Sequence, residues 1–142
     1  MEAILLAGNA ASPELRNLGV GHVFLLTIGG NTLLELTCRA LIEGGQCTTV
    51  FVRAPENIPL PDLPEVKRLL PDGNLVHDLI CCARDKLTAK HIFIGAADCP
   101  LITPESIAGL HDFTVEADCR YVFPIVPQAA IEARFPDMKR TY

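Results

Sequence analysis

The chain has 142 residues, of which 49% are hydrophobic and 20% are charged. This length and composition suit one folded domain with its own core, and they exclude a disordered segment, which would be poorer in apolar residues. The net charge of −5 argues against binding along a nucleic-acid backbone, although a local pocket on an acidic protein can still bind one nucleotide.

The chain opens with a short apolar run and a long polar loop. Residues 3–7 end at Gly8 and predict a buried strand. A Gly- and Pro-containing loop follows, to about residue 21. Residues 23–26 form a second apolar stretch, which Gly29-Gly30 ends.

A helix and a strand are predicted next. Thr32 and Glu35 have the spacing of a capping box at a helix start, and Gly44-Gly45 supplies the stop. Residues 48–52 are β-branched and aromatic, which is typical of a strand.

A proline-rich stretch at residues 54–74 predicts a loop with one helical turn near Val66–Leu70. Asn74 then predicts the cap of another helix. The apolar stripe of that helix is expected to consist of Leu75, Val76, Leu79, Ile80, Ala83 and Leu87.

The last third of the chain again alternates predicted strands and helices. Residues 91–95 predict a buried strand, and Thr103-Pro104-Glu105 combines a cap, a proline and an acid at a helix start. Tyr121–Phe123 predicts a further strand, and Gln128–Arg134 a short helix. The βαβαβ order predicts a mostly parallel α/β sheet with helices on both faces.

Candidate functional residues follow two of these strands. Ligands of open parallel sheets bind beyond the carboxyl ends of the strands, where Gly8 and Asp98 are expected on the same edge. Gly8 allows a close approach to the backbone, Arg16 suits phosphate, and Asp98 suits Mg²⁺. Singly, each has a structural explanation as a turn, a solvated loop residue or a cap; together they outline a nucleoside triphosphate site.

The cysteines do not predict a zinc site, because they form no CxxC pair and no paired histidines accompany them. They are Cys38, Cys47, Cys81, Cys82, Cys99 and Cys119. We expect small buried thiols in a reducing compartment.

With no secretory signal and no run of membrane-spanning length, the sequence predicts a soluble, cytoplasmic protein that binds neither nucleic acid nor membrane.

Several motifs carry a resemblance that spans nearly the whole chain, and the segment around Asp98 is the most specific of them. In chain order they are residues 4–8, Arg16, and residues 25–35, 97–105, 123–127, 132–136 and 139–142. On these motifs the sequence resembles nucleotidyltransferases of the sugar-phosphate and molybdenum-cofactor guanylyltransferase type.

The resemblance implies a GT-A-like, Rossmann-related three-layer sandwich over residues 1–142, as a single nucleotide-binding domain. It also implies Mg²⁺-dependent transfer of a nucleoside monophosphate from a triphosphate to a phosphorylated acceptor, with release of pyrophosphate. The residues that would contact the nucleotide are Leu6, Ala7, Gly8, Asn9 and Arg16. Arg16 and Asp98 would be the catalytic residues, and Asp98 would hold the metal.

Three departures from the family pattern leave alternatives open. Asn9 stands where the family loop has a second glycine, Val23 stands where it has a lysine, and relatives continue beyond Tyr142 into further strands. The chain is therefore either a nucleotidyltransferase, a degenerate or truncated relative that binds nucleotide or a partner, or an α/β module without a ligand. Without those further strands, we expect an unpaired edge or apolar patch, which self-association to a homo-oligomer would cover.

Overall fold

The computed structural model describes residues 1–8 and 10–136; Asn9 and the motif at residues 139–142 lie outside this part of the chain. Within it, six strands and five α-helices follow one another. In chain order they are β1 (Glu2–Leu6), α1 (Pro13–Asn17), β2 (Thr27–Ile28), β3 (Asn31–Thr32), α2 (Leu33–Glu43), β4 (Val50–Arg53), β5 (Val66–Leu69), α3 (Leu75–Asp85), β6 (Ile92–Ala96), α4 (Pro104–Glu116) and α5 (Gln128–Arg134).

Four strands form one parallel sheet in the order β5-β4-β1-β6. In the inner strand β1, Ile4 is flanked by Phe51 of β4 and by Ile94 of β6. The other two strands, β2 and β3, form a separate antiparallel hairpin. The α/β architecture with a mostly parallel sheet is therefore confirmed.

Helices cover both faces of this sheet, so the fold has three layers. Alternate residues of β1 point to opposite sides. Leu5 belongs to a large apolar cluster shared with α2 and α4, which contribute Leu41 and Ile107, whereas Ile4 belongs to a smaller cluster with Cys82 of α3. Burial of a large aliphatic side chain stabilises a fold by about 1.5–3 kcal/mol, so most of the stability resides on the α2 and α4 side.

The predicted helix starts are confirmed. The Thr32 hydroxyl accepts a hydrogen bond from Glu35 N at 3.1 Å, and the Asn74 side chain accepts from the backbone N–H groups at the start of α3. Thr103 and Ser106 form a reciprocal capping box at the start of α4. These ends could be predicted because a cap depends on residues that are neighbours in sequence.

Two predictions about the strands were wrong. Val66–Leu69 is not a helical turn but the parallel strand β5, held to β4 by bonds such as Ala54 N to Leu69 O at 3.1 Å. Tyr121–Phe123 is not a strand, because no described strand pairs with it, and Tyr121 is 78% exposed. β6 is a strand as predicted, but it lies at the edge of the sheet, where Ile94 is 52% exposed rather than buried.

The predicted apolar stripe of α3 was also wrong in part. Leu75, Val76 and Ile80 are exposed, whereas Asp78 and Cys82 face the sheet. A carboxylate can occupy this buried position because it is paired with a charge from β4, a partner that lies far away in the sequence.

The long first loop contains structure that the sequence did not predict. It holds α1, and the apolar stretch that follows it forms a turn of 3₁₀ helix at Val23–Leu25. Gly29 and Gly30 have φ values of +59° and +88° and close the β2–β3 hairpin, where two positive φ values suit a two-residue turn.

Among the described residues, no helix is both long enough and apolar enough to cross a membrane.

Candidate functional site

The strand order places a crevice between the ends of β1 and β6. From β1 the sheet grows in one direction through β4 and β5, and the chain then returns to add β6 on the other side. In open α/β sheets the point where the order reverses is the usual ligand site. Ala97 N donates to Leu6 O at 3.2 Å and Ala7 N donates to Arg53 O at 3.1 Å, so Gly8 and Asp98 follow immediately after neighbouring, paired positions.

The loop after β1 offers open backbone at this crevice. Leu6 is partly buried and Ala7 is buried, whereas Gly8 is exposed. Apart from its chain neighbours, no described residue has an atom within 4 Å of a methyl group added to Gly8, so the described part of the chain leaves space there for a ligand. Asn9, predicted to contact the nucleotide, lies outside the described residues.

The remainder of the loop is closed by its own contacts. Ala10 pairs with His22 across a β-bridge, and Ala11 N donates to Gly21 O at 3.0 Å. Arg16 lies in the last turn of α1 and is exposed. No described residue forms an ion pair with Arg16, which leaves its guanidinium available, but no contact brings it to Gly8 or Asp98.

Asp98 lies in the connection between β6 and α4 and is half-buried. Its carboxylate does not cap α4, since Thr103 does so, and no described residue forms an ion pair with it. The Thr37 hydroxyl of α2 lies 3.4 Å from Ala97 O, beside this connection. The next residue, Cys99, is exposed; partial burial raises the pKa of its thiol, and the Asp98 carboxylate raises it further.

Asp98 is a carboxylate that the structure places beside this crevice. No group of three His, Cys, Asp or Glu side chains suited to a metal ion occurs in the described part of the chain. Mg²⁺ nevertheless often binds through one or two carboxylates, with phosphate oxygens and waters completing its shell. The donor set therefore fits a metal that arrives with a triphosphate, and does not fit one held by protein alone.

An ion pair that was not predicted from the sequence lies at the same edge of the sheet. Arg53, the last residue of β4, contacts Asp78 Oδ2 through Nη2 at 2.6 Å and Nε at 2.7 Å. The Asp78 side chain is 2% exposed and also accepts from Asp72 N at 3.1 Å. The pair thus ties the turn before α3 to β4. The signal in the sequence was an acid, Asp78, next to the predicted apolar position Leu79 of α3.

Val23, which the sequence resemblance aligns with a lysine of the family, has an apolar side chain. Val23 is partly buried and begins the 3₁₀ turn. Beside it, the ring of His22 stacks on Phe24, with centroids 5.1 Å apart.

Solved structures resemble this chain over most of its length. A hypothetical transferase of Thermus thermophilus is 28% identical, with a TM-score of 0.67 over 100% of this chain and 58% of that protein. A nucleotidyl transferase of Methanothermobacter thermautotrophicus, 19% identical, has a TM-score of 0.59 over 78% of this chain and 56% of its own. The 2-C-methyl-D-erythritol 4-phosphate cytidylyltransferase of Thermus thermophilus, 16% identical, has a TM-score of 0.56 over 92% and 61%.

The present chain spans less than two thirds of the length of each of these proteins. No curated protein matches it. The family model of the MobA-like NTP transferase domain, however, matches residues 3–133. Because that match covers most of the chain, the chain belongs to the MobA-like NTP transferase family.

Proposed function

We propose that this nucleotidyltransferase-like domain binds a nucleoside triphosphate with Mg²⁺ and transfers its nucleoside monophosphate to a phosphorylated small-molecule acceptor, releasing pyrophosphate. One observation carries the proposal: the open backbone at Gly8 and the carboxylate of Asp98 follow paired positions on adjacent strands, where the strand order reverses. Adjacent strands lie about 4.8 Å apart, so one triphosphate can reach both.

Each residue has a distinct role in this proposal. The backbone of Leu6, Ala7 and Gly8 lies along the nucleotide, and the exposed guanidinium of Arg16 binds phosphate oxygens. Asn9 is proposed as a further nucleotide contact on the strength of the sequence alone. Asp98 holds Mg²⁺, which neutralises phosphate charge when bound. The chain then acts mainly by positioning and by stabilising charge, as is usual for phosphoryl chemistry.

We also propose that the protein works in the cytoplasm. Cys38, Cys47 and Cys82 are buried free thiols, which suits a reducing cytoplasm. Residues 1–142 are proposed to form one domain. The proposed acceptor is a phosphorylated small molecule.

The environment of Val23 favours a second candidate function, in which the chain binds a nucleotide but does not catalyse transfer. The family's lysine is absent there, and Arg53, the cation at the end of β4, forms an ion pair with Asp78. Arg16 would then be the main cation for the triphosphate. Loss of one preorganised donor costs about 10²–10³-fold in rate, so binding would survive better than catalysis.

Thermal denaturation with each nucleoside triphosphate and Mg²⁺ tests binding. A triphosphate at 100 times its Kd should stabilise the protein by about 2.7 kcal/mol, which raises Tm by about 8 °C for a domain of this size. Asp98→Ala should abolish the dependence on Mg²⁺, whereas Asp62→Ala, at an exposed aspartate in the proline-rich loop, should preserve it.

Pyrophosphate release separates the two candidates. Turnover with phosphorylated acceptors supports the transferase, and binding without turnover supports the second function. If no triphosphate changes Tm, both candidates are wrong.

A further inference from the structure

A buried ion pair lies at the carboxyl edge of the sheet, beside the loop that the proposed function assigns to the nucleotide. Arg53 contacts Asp78 Oδ2 through Nη2 at 2.6 Å and through Nε at 2.7 Å. The Arg53 and Asp78 side chains are 16% and 2% exposed. The net stabilisation from a buried ion pair is small, because desolvation of the two charges offsets their attraction. Stability is therefore a weak reason for a pair at this position.

Arg53 adjoins the nucleotide loop through its backbone and through its place in the sheet. Its carbonyl oxygen accepts a hydrogen bond from Ala7 N at 3.1 Å, and Leu6 is its register partner in β1. Phe51, two residues before Arg53, packs with Ile4 on the α3 side of the sheet, and alternate residues of a strand share a face. The Arg53 and Leu6 side chains therefore lie next to each other on that side, so a fixed Arg53 constrains both Leu6 and Ala7.

Asp78 joins a further segment to the same point. Asp72 N donates to Asp78 Oδ1 at 3.1 Å and to Oδ2 at 3.2 Å. Asp72 belongs to the turn between β5 and α3, where Gly73 has a φ of +82°, a value that glycine adopts without strain. One carboxylate thus fixes both this turn and the guanidinium at the end of β4.

We propose that Arg53 and Asp78 are positioning residues of the nucleotide site, an inference that rests on the proposed function. The pair keeps the end of β4, and with it the loop at Leu6, Ala7 and Gly8, in the conformation that binds a triphosphate. In this role neither charged side chain contacts the ligand. The apparent Kd rises as the fraction of protein in the binding conformation falls. A loop that is correctly placed about a tenth of the time therefore binds about tenfold more weakly.

A double variant separates positioning from stability. Arg53→Met/Asp78→Leu replaces both charges by apolar side chains of similar size, a change that usually preserves the stability of a fold. Circular dichroism and thermal melting check that the variant is folded. In isothermal titration calorimetry with Mg²⁺ and ATP, CTP, GTP or UTP, a triphosphate that binds the parent should bind this variant at least tenfold more weakly. A purely structural role of the pair would leave that affinity unchanged.

The single variants Asp78→Ala and Glu2→Ala form a matched comparison. Glu2 is also a buried carboxylate, 6% exposed, and it also holds a turn next to α3, by accepting from Thr88 N at 2.6 Å and Ala89 N at 2.7 Å. It lies at the opposite end of β1, about 13 Å from Leu6 at about 3.3 Å per residue. Both variants should lose stability, but only Asp78→Ala should lose affinity for the triphosphate.

The outcomes distinguish this inference from the proposed function. If the double variant does not fold, Asp78→Asn replaces it, because it keeps the shape of the side chain, and it should also weaken binding. If the parent binds a triphosphate and the folded variants bind it equally well, or if Glu2→Ala loses as much affinity as Asp78→Ala, the inference is wrong and the proposed function stands. If no triphosphate binds the parent, the proposed function is wrong and the inference fails with it.

Discussion

The buried ion pair between Arg53 and Asp78 leads to a quantitative prediction about stability. Asp78→Ala removes the partner of a guanidinium that is only 16% exposed and leaves Asp72 N without its acceptor. Removing one member of a buried pair costs about 3–5 kcal/mol. Because Arg53 keeps some contact with water, we expect a loss near the lower end, about 3 kcal/mol, and a fall in Tm of about 9 °C.

Urea denaturation followed by circular dichroism measures this loss. Asp85→Ala is the control, since Asp85 pairs with Arg84 in an exposed position, where ion pairs contribute little. Replacing both Arg53 and Asp78 by apolar residues should recover much of the stability, because no buried charge is then left unpaired. If Asp78→Ala unfolds at the same urea concentration as Asp85→Ala, the reasoning about this pair is wrong.

Three further predictions concern charge, capping and thiols. Hydrogen bonds from the backbone N–H groups of Ala89 and Thr88 hold the pKa of Glu2 below 4.5. The Glu2 carboxylate therefore stabilises the fold fully above pH 4.5, and this stabilisation is lost on acidification. Glu2→Gln should lose less stability in acid than the parent, and an equal loss would contradict this. Thr103→Ala removes the cap of α4 and should cost about 1 kcal/mol in urea denaturation, whereas no change would show that the cap contributes nothing. Burial raises the pKa of Cys38 to about 12, so the exposed Cys99 should react with Ellman's reagent well before Cys38, and equal rates would count against the packing of α2.

The features that could be predicted from the sequence depend on local patterns. Thr32, Asn74 and Thr103 cap helices through neighbours a few residues away, so their positions were readable. The apolar runs at residues 3–7 and 91–95 likewise predicted strands, and their parallel order placed Gly8 and Asp98 on one edge. The nucleotide and metal roles of these two residues, and of Arg16, remain predictions.

The features that could not be predicted depend on distant partners. Val66–Leu69 becomes a strand only because β4 lies beside it. Asp78 can be buried only because Arg53, 25 residues earlier, points toward it. Ile94 is exposed because no described strand lies beyond β6. The sequence contains each of these residues, but not the contact that determines its environment.

The central claim, that the loop at Gly8 and the carboxylate of Asp98 form one site, can be tested by NMR with a Mn²⁺–nucleoside triphosphate complex. Mn²⁺ takes the same oxygen ligands as Mg²⁺ and broadens the amide signals of residues close to it. The account predicts that the amides of Ala7, Gly8, Ala97 and Asp98 broaden together, and that Asp98→Ala abolishes the effect. Broadening confined to another part of the sheet, or unchanged in Asp98→Ala, would contradict the claim.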